Sequence, residues 1–405
     1  MKKMKTLSLL LLVGFIFTAC SEDDNGIGNP GPALDFISYD LGEKSDSGVS
    51  GKATFNELQG GAAQLIIEVV GTSAGNMHPV NIRLNSALEE GSIIVTIEPV
   101  DGATGLSITD FLSDDEGNSI SFDDVDGLDA YINVNLSAND GTIVAQGDIG
   151  ENDLTGEEKS YVLGEKDAPG ISGTVLFEER VNGFALATIS LENTLEGEEH
   201  PAHIHLNSAI VGGPILFSFN SVNGNTGTSI TDTSESAMEG EEAFTFNEIL
   251  EADAYVNVHL GPGDDLQTIV AQGNIGSNEL TGESVTYTLN EADVMGINGF
   301  ITFEERINGF ALATIVLEGT PADGIHPAHI HAGEIVDNGP IIFSFNPVDG
   351  ATGMSMSDTR QGNGDDEDSF TYGEILEIAG YVNVHLSASA LQTIVAQGDI
   401  GANVE

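Results

Sequence analysis

The chain has 405 residues, of which 11 are lysine or arginine and 65 are aspartate or glutamate, and its formal net charge is −54. This length exceeds that of a single ordinary domain and suits two to four domains. A negative field of this size repels phosphate backbones and anionic lipid headgroups, so it argues against nucleic-acid binding and against membrane docking through a basic patch.

The first 20 residues, MKKMKTLSLLLLVGFIFTAC, have the pattern of an export signal. A basic start precedes an apolar run at 7–17, which is too short to remain as a transmembrane helix. The run ends in Phe-Thr-Ala-Cys, which resembles the lipobox of bacterial lipoproteins, with Cys20 as the residue that is diacylated. Cys20 is also the only cysteine, so it has no partner for an intrachain disulfide. Residues 1–20 are therefore predicted to be a lipoprotein signal peptide; the alternative is a simple signal peptide with an incidental cysteine.

Residues 21–34 begin SEDDNGIGNPGP, and this acidic and then Gly/Pro-rich composition predicts a flexible tether. Acidic residues directly after the acylated cysteine resemble the signal by which some Gram-negative bacteria carry lipoproteins to the outer leaflet. The alternative is an ordinary solvated tether that faces the periplasm. No later segment is long and apolar enough to cross a membrane. We therefore expect a cell-envelope protein that its N-terminal lipid anchors to the outer membrane, with exposure at the cell surface as one option.

The rest of the chain repeats itself. FEERVNGFALATI at 177–189 returns as FEERINGFALATI at 303–315, and HPAHIH at 200–205 returns at 326–331, each pair offset by 126 residues. Repeats of this length are whole domains rather than solenoid units.

A more divergent copy lies upstream, where HPVNIRLNSA at 78–87 matches HPAHIHLNSA at 200–209. The chain therefore contains three copies of one domain, and the first copy is degenerate. The predicted domains are 35–154, 155–281 and 282–405.

Within a copy, the residue pattern is that of β-strands. In GFALATISL, four apolar residues alternate with the others from Ala185 to Leu191, and further short runs rich in β-branched residues are bounded by Gly, Asn, Asp and Pro. Helical periodicity is brief, as in FNEILEAD at 246–253. Many short strands with Gly-rich turns predict an all-β fold, with each domain an antiparallel sandwich or barrel.

The motif GxxHPAHIHxxxxxxxGPI, followed about fifty residues later by AYVNVHL and a closing strand, resembles the CHRD domain first described in chordin. The resemblance covers nearly all of the second and third copies and fits the first more loosely. It implies an immunoglobulin-like β-barrel and an exported protein. It implies no disulfide, because the cysteines of chordin have no counterpart here.

All nine histidines of the chain lie in these motifs. Alternate residues of a strand share a face, so His203 and His205 point the same way, and His259 lies on the polar face of AYVNVHL. Three neutral imidazoles from two strands form a suitable ligand set for Zn²⁺ or Cu²⁺. The predicted metal ligands are His203, His205, His259, His329, His331 and His385, with His200 and His326 as less certain members. The alternative is a polar cluster that binds no metal.

The first copy provides an internal comparison. Asn81, Arg83 and Asn135 replace the three ligand candidates together, while His78 of the His-Pro pair remains. Joint replacement indicates that the three histidines act as one unit, and an arginine would repel a metal ion. The histidine of each His-Pro pair is therefore interpreted as structural, a turn residue.

These observations predict a lipoprotein without enzymatic activity that binds a metal and also a protein or other extracellular ligand. One alternative is a copper-dependent oxidoreductase, since the His-x-His pair resembles copper ligands of Cu/Zn superoxide dismutase; no bridging histidine is evident, however, and the net charge would repel superoxide. The other alternative is a structural or adhesive stalk without metal. If the site is real, free imidazoles should take up protons near pH 6.5 and metal affinity should fall there.

Overall fold

The computed structural model describes residues 34–111, 113–363 and 369–404. The predicted signal peptide, Cys20 and all but the last residue of the predicted tether lie outside this range. Strands far outweigh helices in the described chain, at 54% against 7%, and the strands pair antiparallel, which confirms the all-β prediction. None of the described helices has the length and apolar character needed to cross a bilayer.

The first domain is a closed barrel of eight strands. They are β1 (Phe36–Glu43), β2 (Ser50–Glu57), β3 (Ala63–Val70), β4 (Met77–Leu84), β5 (Ile93–Asp101), β6 (Leu106–Phe111), β7 (Asp129–Ser137) and β8 (Asp140–Gly150), with a 3-10 helix at Phe122–Gly127. Around the barrel the order is β1-β2-β3-β6-β5-β4-β7-β8, and β8 closes onto β1.

The second domain repeats this order with two strands divided. Its elements are β9 (Leu154–Glu165), β10 (Ser172–Arg180), β11 (Ala185–Glu192), β12 (Glu199–His200), β13 (Ala202–Leu206), β14 (Ile215–Ser218), β15 (Val222–Asn223), β16 (Thr228–Asp232), α1 (Phe246–Glu251), β17 (Asp253–His259), a 3-10 helix (Gly263–Gln267) and β18 (Ile269–Gly276). Pro201, which has no N–H to donate to the ladder, lies between β12 and β13. The sheet order is β12-β15-β16-β11-β10-β9-β18-β17-β13-β14.

The third domain has the same architecture as the second. Its elements are β19 (Leu280–Glu291), β20 (Asn298–Arg306), β21 (Ala311–Glu318), β22 (Ile325–His326), β23 (Ala328–Ala332), a 3-10 helix (Ile335–Asp337), β24 (Ile341–Ser344), β25 (Val348–Asp349), β26 (Met354–Asp358), α2 (Tyr372–Glu377), β27 (Ala379–His385) and β28 (Ile394–Gly401). Its ten strands follow the corresponding order, β22-β25-β26-β21-β20-β19-β28-β27-β23-β24.

Each domain has its own apolar core, on the face that the sequence alternation selects. In β11 the residues Ala185 and Leu191 and the two alternate residues between them are all at most 7% exposed. The polar face of β17 is also covered, because Tyr255, Asn257 and His259 are 4%, 4% and 7% exposed. The predicted histidine face is therefore separate from the core and largely covered, with His203 and His205 half-buried.

Buried arginines link neighbouring domains. Arg180, which is 1% exposed, donates to the backbone carbonyl of Asn152 at 2.7 Å and forms ion pairs with Asp148 at 3.1 Å and Asp232 at 3.2 Å. Asn152 and Asp148 belong to the first domain and Arg180 to the second. Arg306 repeats this contact at the next junction. A charged group at such a depth requires these partners, so the contacts constrain how adjacent domains meet.

Candidate metal centre

Two neighbouring strands of the second domain bring three histidines together. On β13, His203 and His205 are two residues apart and share a face. Strand β17 runs antiparallel beside it and pairs Asn257 with His203 and Tyr255 with His205, which places His259 diagonally across from His203. The ring centroids are 5.1 Å apart for His203 and His259, 5.8 Å for His203 and His205, and 6.3 Å for His205 and His259.

One ring nitrogen of each histidine lies within 4.8 Å of the others in the set. Tetrahedral zinc with Zn–N bonds of about 2.0–2.1 Å holds its nitrogen ligands about 3.3 Å apart. We call the three residues His203, His205 and His259 the domain-two triad.

Backbone carbonyls fix which nitrogen of two rings can bind a metal. His205 places Nδ1 3.0 Å from the carbonyl oxygen of Gly213, and His259 places Nδ1 2.8 Å from that of Leu266. A carbonyl only accepts, so in each neutral ring Nδ1 carries the proton and Nε2 has the lone pair. Both Nε2 atoms are buried and have no hydrogen-bond partner. They are therefore oriented and available as ligands.

His203 completes the set through its other nitrogen. Its Nδ1 is buried without a hydrogen-bond partner. Burial, with smaller contributions from the neighbouring His259 and His205, lowers the pKa of His203 to about 4. Burial also lowers the pKa of His205 and of His259. The rings therefore remain neutral below pH 6.5, and the expectation that metal affinity falls at that pH moves to more acidic values.

The third domain repeats this geometry. Its ring centroids are 4.9 Å apart for His329 and His385, 6.1 Å for His329 and His331, and 6.2 Å for His331 and His385. Nδ1 of His331 lies 2.9 Å from the carbonyl oxygen of Gly339, and Nδ1 of His385 lies 2.7 Å from that of Leu391. We call His329, His331 and His385 the domain-three triad.

A glycine in the loop allows its own backbone carbonyl to reach the second histidine of each triad: Gly213 reaches His205, and Gly339 reaches His331. A Cβ atom on Gly213 would lie 2.1 Å from the backbone oxygen of Leu206, and one on Gly339 would lie 1.7 Å from that of Ala332. Only glycine permits this approach of the loop to the strand. The sequence showed a GGP or NGP turn here, but its link to the histidine becomes evident only when the loop is folded back.

A cavity of about 500 Å³ lies in front of the domain-three triad. All three histidines line it, together with Tyr381, whose ring stacks on His331 at 5.1 Å between centroids. The floor beside them is an amide pair in which Gln397 Nε2 donates to Asn383 Oδ1 at 2.6 Å. The tyrosine and the amide pair were not predicted from the sequence; their position on the histidine face of YVNVH was the available signal.

In the first domain, other side chains use carbonyls of the corresponding loops. Arg83 donates from Nε to the carbonyl of Gly91 at 2.9 Å and to the hydroxyl of Tyr131 at 3.0 Å. Asn135 donates from Nδ2 to the carbonyl of Gly141 at 2.8 Å. Asn81 faces Asn133 across the ladder, in the position of His203. The described part of this domain contains no comparable cluster of ligand atoms.

The histidine of each His-Pro pair makes one and the same contact. Nδ1 of His200 lies 3.1 Å from the backbone oxygen of His259. In the same way, Nδ1 of His326 lies 3.1 Å from the oxygen of His385, and Nδ1 of His78 lies 3.1 Å from that of Asn135. Each is at most 2% exposed, and none belongs to a triad. The contact exists in the domain without a triad, which is consistent with a structural role for His200 and His326.

The comparisons with known proteins give no match: no family model, no curated protein and no solved structure is similar to this chain. The resemblance to the CHRD domain stays a prediction.

Proposed function

We propose that this protein is a metal-binding lipoprotein of the bacterial cell envelope, without enzymatic activity, that binds one Zn²⁺ or Cu²⁺ ion in each of its second and third domains. The observation that supports this most is the set of unpartnered, buried ring nitrogens in both triads. A buried polar atom without a partner destabilises a fold. A metal ion satisfies all three nitrogens of a triad together.

Metal analysis of the protein purified without a histidine tag tests this proposal. Two equivalents of zinc or copper per chain are expected after dialysis against a weak chelator. Retention that persists when both triads are replaced would instead indicate non-specific uptake by the acidic surface, and no retention at all would favour the metal-free stalk.

The copper-dependent oxidoreductase is the second candidate, and the cavity in front of the domain-three triad favours it, because redox catalysis needs access to the metal. The copper-loaded protein separates the two functions. A binding protein should show no superoxide or peroxide turnover above that of free copper at the same concentration, whereas turnover that requires the triads would support the enzyme.

The anchoring part of the proposal depends on Cys20. Replacement Cys20→Ser should release the protein from membranes or leave an unprocessed precursor, since acyl chains are what hold it. Membrane fractionation and the mass of the mature N-terminal peptide measure this. A normally processed variant that still fractionates with lipid would contradict acylation at Cys20.

A further inference from the structure

We infer that the metal at each triad keeps one coordination position open, and that this position takes a carboxylate from outside the chain. This inference rests on the proposed function, because it concerns the metal that the triads would hold. It adds the chemical class of the ligand that the site recognises.

The three protein ligands all come from the sheet. His329 and His331 lie on β23 and His385 lies on the adjacent β27, so their nitrogens approach a metal from the same side. No fourth histidine, cysteine or carboxylate of the described chain places a ligand atom in either cluster. Structural zinc sites use four protein ligands, whereas sites that exchange a ligand use three. The coordination sphere is therefore incomplete without an external group.

The cavity gives that external group a place. Its volume of about 500 Å³ lies within the range of small-molecule sites. Apolar side chains such as Ile341 and Leu391 and neutral amides line it, and the triad supplies its only titratable nitrogens. No charged side chain of the described chain is among the residues that line this cavity. In the second domain the Glu241 carboxylate acts on His203, but its two oxygens accept from Ser218 Oγ at 3.1 Å and from Ser236 Oγ at 2.6 Å.

The charge of the metal favours an anion as the external ligand. Three neutral imidazoles leave both positive charges of a divalent ion uncompensated by its protein ligands, and an uncompensated charge in a half-buried site is costly. The acidic surface of the chain opposes an approaching anion, but salt screens that field over about 8–10 Å. At a bond length of about 2 Å the attraction to the metal is much larger.

The amide pair selects a carboxylate among anions. Asn383 Oδ1 accepts from Gln397, and none of the described groups accepts a hydrogen bond from the NH2 of Asn383. In the second domain, Gln272 Nε2 donates to Asn257 Oδ1 at 2.8 Å in the same way. Each asparagine is next but one to a triad histidine on its strand. Asn383 pairs directly with His329 across the ladder, and we assign its NH2 to the second oxygen of a carboxylate whose first oxygen is on the metal.

The test uses the full-length protein without a tag, loaded with Cu²⁺. Bound copper is first counted by elemental analysis. Azide is then titrated, and the azide-to-copper charge-transfer absorption and the copper EPR spectrum are recorded. We expect one azide per bound copper, and we expect acetate to displace it competitively.

The variant with both Asn257→Ala and Asn383→Ala should bind acetate about tenfold more weakly at unchanged copper content, which corresponds to one hydrogen bond to a charged group. Asn133→Ala is the matched control, because Asn133 forms the same pair with Gln146, at 2.9 Å, in the domain without a triad. It reports the effect on folding alone and should leave acetate binding unchanged.

The outcomes distinguish a failure of this inference from a failure of the proposed metal-binding function. Two equivalents of bound copper without any response to azide would overturn the open position and leave the metal-binding function intact. Azide binding that acetate does not displace, or acetate binding that the two asparagine substitutions do not weaken, would overturn the carboxylate. Absence of retained copper would remove the proposed function and this inference together.

Discussion

The first and second domains share a scaffold, and the difference between them at the histidine site separates what the fold requires from what a ligand requires. Both domains have the same strand order, the same contact of the His-Pro histidine and the same Asn–Gln pair. In the first domain, Arg83 and Asn135 use the loop carbonyls and leave no cluster of unpartnered nitrogens. The barrel therefore folds without a triad, and its His78 keeps one buried, unpartnered ring nitrogen, Nε2, as His200 and His326 do in the other domains.

The triads of the second and third domains lower the stability of the metal-free fold, and the first domain has no such cluster. Among the described residues, each triad leaves three buried ring nitrogens without a hydrogen bond. Such groups do not contribute to the stability of the fold. A ligand that binds all three nitrogens, as proposed above, would offset this cost.

The largest expected effect comes from making the second domain like the first. The variant H203N/H205R/H259N should lose one of two bound metal equivalents, with affinity at that site reduced more than 100-fold, because no imidazole remains and the guanidinium repels a cation. The fold should persist, since the first domain already contains these residues. Elemental analysis and circular dichroism measure the two results. A variant that unfolds would mean that the histidines are structural.

The reverse exchange, which gives the first domain the histidines of the second, tests the same comparison. N81H/R83H/N135H should create a third site, because the carbonyls of Gly91 and Gly141 are already positioned as acceptors. The third equivalent should bind at least tenfold more weakly than the other two, since its loop is shorter. Asn135 pairs with Ile143, eight residues on, whereas His259 pairs with Ile269, ten residues on. Calorimetry that shows only two sites would contradict this prediction.

The junctions offer a second comparison. Leu58 stands in the first domain where Arg180 stands in the second. Arg180→Leu should destabilise the chain by about 3–5 kcal/mol, because the buried Asp232 and the half-buried Asp148 would lose their cation.

Arg306→Leu is the matched variant at the second junction, and its effect should be smaller. There Asn274 replaces Asp148, and Arg306 lies 3.8 Å from Asp358. Thermal unfolding of both variants measures the difference. An equal loss for the two would show that the carbonyl contact that they share, and not the ion pairs, carries the effect.

Acid should destabilise the metal-free protein through the triads. The folded pKa of His203 and of His329 is about 4, below the ordinary value of 6.5, so between these values the unfolded chain binds more protons. The contribution to stability is fully present above pH 6.5 and is lost as the pH falls toward 4, by about 2–3 kcal/mol for each domain. Urea unfolding with EDTA at several pH values measures it. The variant with both triads replaced as in the first domain is the control, and it should lose this part of the pH dependence.

Sequence patterns predicted the fold and the triads because both depend on local alternation. The spacing of His203 and His205 fixes their common face, and the repeat shows which histidine of the neighbouring strand belongs with them. The carbonyls of Gly213 and Leu266 could not be predicted in the same way, because a loop conformation determines where a backbone oxygen points. The pKa near 4 was also missed, since burial of the polar face comes from those loops.

The smallest expected effect concerns the short helix before β17. In the second domain, Thr245 Oγ1 accepts from the backbone N–H of Glu248, and the Glu248 carboxylate accepts from the backbone N–H of Thr245 at 2.9 Å, which forms a capping box. In the first domain, Ser121 and Asp124 begin a 3-10 helix at the corresponding place. Thr245→Ala should cost about 1 kcal/mol. The helix packs against β10 and β18, which carry none of the triad histidines, so metal content should remain at two equivalents while the thermal midpoint falls. A loss of metal in this variant would show that the triad depends on the helix that precedes β17. That result would contradict the conclusion that the scaffold and the metal site are independent.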